Sequence, residues 1–200
     1  MEFLQKMTKG FTLVEIIVVV AITAFLASLT YSSIFESREN TRVMDTGLVQ
    51  KQLTVATEAY FRDMGFYPPD VNRGWDPGFE QATPWNSEVG QPGVPDVGTD
   101  CSHCPSDWEN IVSEKWAGPY MVWPKETQWN GRYDYNYWPE ATTRSGGCVV
   151  PKGIYAGAQG YYGDVVGTTI PDSAEQKMVD NGFDGDGCIN GESQLLLWRL

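Results

Sequence analysis

An α+β fold, with one long N-terminal helix laid against a small antiparallel sheet, is predicted by three features of this 200-residue chain. Residues 11–35 form an apolar run interrupted by one carboxylate. Residues 36–65 continue it with helix formers and no proline. Strand signals then gather around residues 116–137 and again in the closing SQLLLWRL.

The apolar run comes first. Between Glu15 and Glu36 lie twenty residues without a charge. At the α-helical rise they span about 30 Å, the thickness of a bilayer hydrocarbon core. One membrane-spanning helix is the reading, with a buried core helix as the alternative. Glu15 sits near its start, where a charge in hydrocarbon costs about 2.5–3.5 kcal/mol and therefore calls for a partner. Lys6 and Lys9 precede the run. The positive-inside tendency leaves them in the cytoplasm and everything after the helix on the far side. Residues 1–10, MEFLQKMTKG, are too short and too polar for a secretory signal, whose apolar region precedes its cleavage site. Here the apolar region follows the small residue Gly10. A cut after Gly10 removes a basic tag, keeps the helix and frees a new amine on Phe11.

The second half of the helix is amphipathic. Val49, Leu53, Ala56 and Tyr60 repeat at spacings of four, three and four, one apolar stripe suited to packing on a sheet. Gly65 is a C-terminal stop, and Pro68-Pro69 cannot continue a helix. Gly47 reads either as a weak point or as a tolerated exposed glycine. Residues 66–100, rich in proline and glycine, read as a long ordered loop. Asn130-Gly131 between aromatic runs, with Tyr133, Tyr135 and Tyr137 alternating with polar residues, predicts a β-hairpin. Residues 151–170 carry no clear pattern, and residues 193–200 close the chain as a strand. The expected organisation is a leader (1–10), a membrane helix (11–35), its amphipathic continuation (36–65) and an extracytoplasmic α+β head (66–200).

Charge and composition narrow the function. The formal charge is −12, and −13 without residues 1–10. This excludes direct binding of nucleic acid and suits a solvated exterior or divalent cations. Eight tryptophans and ten tyrosines give a polar chain enough apolar mass for a core. The single histidine, His103, reads as an exposed loop residue, and no Ser/His/Asp set can be assembled around it, so catalysis is not expected. Cys101, Cys104, Cys148 and Cys188 all follow the membrane helix and face an oxidising compartment, where disulfides are the default. Four cysteines allow three pairings, among which sequence does not choose. A tight Cys101–Cys104 loop with a long-range Cys148–Cys188 staple is favoured over a four-cysteine zinc site, which lacks a second close pair, and over a redox-active C-x-x-C. Near the end, DNGFDGDGCINGE places Asp180, Asp184, Asp186, Asn190 and Glu192 on a glycine-rich turn. These are hard oxygen donors of the kind calcium takes, without the EF-hand spacing; the alternative is a solvated acidic turn.

The leader, Lys9-Gly10-Phe11-Thr12-Leu13-Val14-Glu15 and the apolar run that follows resemble the type IV pilin superfamily. That resemblance implies cleavage by prepilin peptidase between Gly10 and Phe11, methylation of the new N-terminal Phe11, and polymerisation into a helical filament. In that filament Glu15 meets the amine of a neighbouring subunit. AYFRDMGFYPPD (59–70), WAGPYMVWPKETQWNGRYDYNY (116–137) and the Asp/Gly-rich tail are similar to the G-type major pseudopilin of type II secretion. This implies a structural calcium in the C-terminal loop, with Asp184 and Asp186 foremost among the ligands. It also implies an inner-membrane assembly platform with its ATPase, minor pilins as partners, and a single-pass anchor in the bacterial inner membrane with the head in the periplasm. The expected function is a structural filament subunit of a pseudopilus. A true type IV pilin for adhesion, motility or DNA uptake, and a membrane-tethered binding module that does not polymerise, are the alternatives.

Overall fold

A computed structural model describes residues 10–86, 90–93, 101–144, 147–161, 167 and 169–200. The predicted leader, apart from Gly10, lies outside the described residues. Two compact units emerge, residues 1–39 and residues 40–200.

In the first unit the described chain is helical from Leu13 onwards, as part of helix α1 (Leu13–Met64). Its apolar side chains, among them Leu13, Val14, Ile16, Ile17, Val20, Phe25 and Leu29, are exposed throughout. By length and composition this segment is sufficient to cross a membrane.

In the second unit the rest of α1 supplies the predicted stripe. Leu53, Ala56 and Tyr60 are buried and Val49 half-buried, with Val43 and Met64 extending the same face. Gly65, at φ 82°, ends the helix and donates its N–H to the Phe61 carbonyl at 2.8 Å. The sheet is antiparallel, in the order β3 (Arg132–Trp138), β6 (Gly153–Gln159), β7 (Ser193–Trp198). Tyr135 lies opposite Ala156, and Ala156 opposite Leu195. The α1 stripe, Tyr133, Tyr135, Ile154 and Ala158 share one core. Gln50, the polar member of the buried helix face, donates to the Ala156 carbonyl at 3.0 Å and to Ser193 Oγ at 3.1 Å, pinning helix to sheet. Two-residue strands β1 (Trp85–Asn86) with β2 (Gln91–Pro92), and β4 (Thr142–Thr143) with β5 (Val149–Val150), and helices α2 (Trp108–Lys115) and α3 (Asp172–Asp180) are the other elements among the described residues of the unit.

The hairpin expected around Asn130-Gly131 does not form. The turn is present, with Asn130 at φ 59° and the Thr127 N–H donating to the Gly131 carbonyl, but only β3 leaves it. The preceding aromatic run stays irregular because Pro119 and Pro124 lack ladder donors and its indoles bond elsewhere. Trp116 Nε1 donates to the Gly78 carbonyl at 2.9 Å and Trp123 Nε1 to that of Gly74 at 3.2 Å. The partner of β3 is instead β6, in the segment that carried no sequence pattern. β3 is also covered on both faces. Asp134 accepts from Gln159 Nε2 at 2.8 Å and Asn136 Nδ2 donates to Gln194 Oε1 at 3.2 Å, so the alternating polar residues are buried pairs. The loop after α1 is ordered where described: Asp76 accepts the N–H groups of Gly78, Phe79, Glu80 and Gln81.

Gly47 is neither a weak point nor exposed. It is buried, and a Cβ there would meet the Phe183 ring at 2.4 Å. Gly47→Ala therefore trades a small gain in helix propensity for overpacking. We expect a loss of about 1–3 kcal/mol in chemical denaturation; a variant as stable as the parent would contradict the packing.

Candidate functional site

Two places carry the residues singled out in the sequence, one in each unit. In the first, Thr12 immediately precedes α1, and Glu15 lies three residues further on. The Glu15 N–H donates to Thr12 Oγ1 at 3.3 Å, and Glu15 Oε2 accepts from the Thr12 N–H at 3.4 Å and its hydroxyl at 3.5 Å. Threonine and glutamate at this spacing form a capping box, satisfying donors that the first helical turn leaves open. The sequence contains the signature Thr12-Leu13-Val14-Glu15, and charge reasoning alone overlooked it. Glu15 thus has a local role: its oxygen is held beside the backbone at the start of α1. Gly10 and Phe11, the expected cleavage junction, are both exposed.

In the second unit the acidic tail follows α3. Asp184 is buried; its Oδ1 accepts from the N–H groups of Asp186 at 3.3 Å and Gln194 at 3.4 Å, while Oδ2 is buried and receives no donated hydrogen bond. Asp186 Oδ1 accepts from the Cys188 N–H at 2.7 Å. Burial and the adjacent Asp186 charge push the Asp184 carboxyl upward, and burial does the same to Asp186. The other expected donors are engaged elsewhere. Asp180 Oδ1 accepts from Gln176 Nε2 at 3.0 Å. Glu192 is clamped by Arg144, whose Nε lies 3.1 Å from Oε2, and by Arg73, 3.8 Å from Oε1. Asn190 Oδ1 accepts from the Glu192 N–H at 3.2 Å. Of the five predicted ligands, then, the fold brings Asp184 and Asp186 together and directs Asp180, Asn190 and Glu192 to protein partners. A buried carboxylate oxygen without a donor, beside a second carboxylate, is a donor set that a hard cation fits.

Glu175 organises this loop and was not anticipated. Fully buried on α3, it accepts the N–H groups of Asn190 at 2.9 Å and Gly191 at 2.7 Å. Burial pushes its carboxyl up to about 7 against the opposing pull of those N–H groups. The signal was available: Glu175 lies between Ala174 and Met178 on the apolar face of a short helix.

Both favoured disulfides are present. Cys101–Cys104 closes a tight turn with Cα atoms 5.2 Å apart, and Cys148–Cys188 joins residues forty apart with Cα atoms at 6.1 Å. The second bond anchors the acidic loop next to Asp186. His103 is half-buried rather than exposed: its ring stacks on Tyr137, centroids 3.4 Å apart, and burial lowers its basicity. Seven of the eight tryptophans are buried or half-buried, which assigns them to packing; Trp198 is exposed.

With this geometry in view, the comparisons with known proteins are informative at the N-terminus. Residues 5–31 match the family model described as the prokaryotic N-terminal methylation motif. The match covers the end of the basic leader, the Gly10-Phe11 junction, the Thr12–Glu15 capping box and most of the apolar run. It indicates a type IV pilin-like substrate of prepilin peptidase. Neither the curated proteins nor the solved structures gave a match.

Proposed function

We propose that the chain is a structural, non-catalytic subunit of a type IV pilus-like filament, and specifically a major pseudopilin of type II protein secretion. The observation that carries the filament reading is the exposed apolar helix that the methylation motif extends into and that bears Glu15 in its first turn. The peptidase cuts between Gly10 and Phe11 and methylates the new amine. The helix holds the subunit in the inner membrane with the head in the periplasm. An ATPase-driven platform then adds subunits, each offering its Phe11 amine to the Glu15 of a neighbour. A buried carboxylate that finds an amine is tolerated, and one that does not is costly, so the pairing sets the register. The pseudopilin assignment rests on the 59–70 and 116–137 segments and the acidic tail. A strain lacking its own major pseudopilin, complemented with this chain, is expected to regain export of folded proteins. Surface pili with twitching or adhesion and no export would favour the true pilin instead.

The same reading gives the acidic loop a structural calcium ion. Asp184 and Asp186 would hold it with backbone carbonyls of the glycine-rich turn, and it would supply positive charge directly between the two carboxylates. The pH dependence follows from the raised carboxyls. Asp184 and Glu175 bind protons more tightly in the folded head than in the unfolded chain. Without calcium, their contribution to stability is therefore fully present below the ordinary carboxylate range and is lost as pH rises through the raised values, about 7 for Glu175 and higher for Asp184. In chelator, thermal unfolding should show a higher midpoint at pH 5 than at pH 8. Calcium should raise the midpoint at pH 8 by clearly more than at pH 5. Equal midpoints with calcium and with chelator at pH 8 would count against the ion.

A further inference from the structure

We propose that Cys101, His103 and Cys104 form a redox-gated site that binds one zinc-class cation when the Cys101–Cys104 disulfide is reduced. The ligand atoms of these three side chains all lie within 4.8 Å of one another, the one such cluster of histidine, cysteine and carboxylate groups among the described residues. Both sulfurs come from a single closed turn, in which the Cys104 N–H donates to the Cys101 carbonyl at 2.9 Å. The C-x-x-C spacing is the one zinc sites use to present two thiolates from one loop.

The histidine is already oriented. Its ring lies flat on Tyr137, 9° from parallel, and Nε2 sits 3.2 Å from the Tyr67 carbonyl and 3.0 Å from that of Pro68. A metal-binding histidine typically donates its other N–H to a carbonyl in this way. Cys101 Sγ lies beside the ring, 3.3 Å from Nε2 and 3.5 Å from Nδ1; with Nε2 protonated and held by the carbonyls, Nδ1 carries the lone pair offered to the cation. Two thiolates and an imidazole select zinc or copper(I) over calcium, so this site differs in chemistry from the acidic tail.

The chemistry balances with a dithiol reductant. It passes two electrons and two protons to the S–S bond, becomes a disulfide itself and leaves two thiols on the chain. The cation then displaces both thiol protons, forming two metal–sulfur bonds and one metal–nitrogen bond, with water in the fourth position. Once the bond is broken the sulfurs must part to about 3.7 Å, the separation set by tetrahedral zinc–sulfur bonds. Either bond set closes the same turn, so the chain exchanges a covalent clasp for a metal clasp according to redox state.

The test uses the full-length chain in detergent micelles and does not depend on filament formation. The protein is reduced anaerobically with a phosphine, titrated with cobalt(II) and then challenged with zinc(II). We expect no cobalt binding before reduction. After it, one cobalt per chain should give thiolate-to-cobalt charge-transfer and tetrahedral ligand-field absorption, both removed by zinc. His103→Ala should weaken cobalt binding by more than about tenfold with all thiols still titratable, and Cys101→Ser should abolish the charge-transfer band. Cys148→Ser should retain it. Absence of the band in the reduced parent, or an undiminished band in Cys101→Ser, would overturn the proposal.

Discussion

Glu15→Ala and Glu15→Lys are expected to insert into the membrane and to be cleaved after Gly10, yet to yield few or no filaments. Both substitutions spare the Gly10-Phe11 junction and the apolar run, so targeting and processing keep their determinants. What they remove is the carboxylate in the first turn of α1. The alanine leaves each incoming amine buried without a counter-charge, at a cost of several kcal/mol per subunit contact. The lysine sets two positive charges together in low dielectric and should be the more severe. The capping box sharpens the experiment, because losing Glu15 also frees the Thr12 N–H. Thr12→Ala removes the hydroxyl partner and keeps the charge. It should cost about 1 kcal/mol of local helix stability while leaving far more assembly than either Glu15 variant. Sheared-filament yield, normalised to processed subunit in the membrane, measures all three. Parent-level yields from both Glu15 variants would refute the pairing.

Replacing Cys148 and Cys188 together by serine is expected to destabilise the head by about 4 kcal/mol at 25 °C, the loop-closure contribution for a forty-residue separation. A domain of this size commonly has only about 5–15 kcal/mol in hand. The effect should be concentrated where the bond acts. Cys188 follows Asp186, whose carboxylate accepts the Cys188 N–H, so the bond fixes the acidic turn as well as the strand pair β4–β5. The double variant should therefore also lose most of the calcium-dependent rise in melting temperature proposed above. Denaturant unfolding with and without calcium reads both effects. A loss below about 1 kcal/mol would mean that the turn is held by other contacts, chiefly the Arg144–Glu192 clamp.

Which parts of this molecule could be read in advance follows from how local their causes are. α1 was legible because its signals are periodic and close in sequence: the twenty uncharged residues, the stripe Val49-Leu53-Ala56-Tyr60 and the stop at Gly65. The closing strand was legible as an apolar run, now β7. The partner of β3 was not, since strand pairing is a choice between distant segments. β6 hides its strand character behind small residues: at Gly153 and Gly157 the β7 side chains Leu196 and Gln194 fill the space a Cβ would take, while Ala156 and Ala158 lie in the core shared with the α1 stripe. Gly47 shows the same limit, as only the fold brings Phe183 over it. In the acidic tail the composition pointed to hard-oxygen chemistry. Only the fold separates Asp184 and Asp186, left facing one another, from Glu192, taken by two arginines.

The central claim is that a processed chain polymerises through its N-terminal helix. Electron microscopy with antibody against the head, on cells producing the chain together with prepilin peptidase and an assembly platform, tests it most directly. The account predicts continuous thin filaments labelled along their length, lost when Glu15 is replaced. Processed, membrane-inserted subunit in abundance with no labelled filament would contradict it and leave a tethered module in its place.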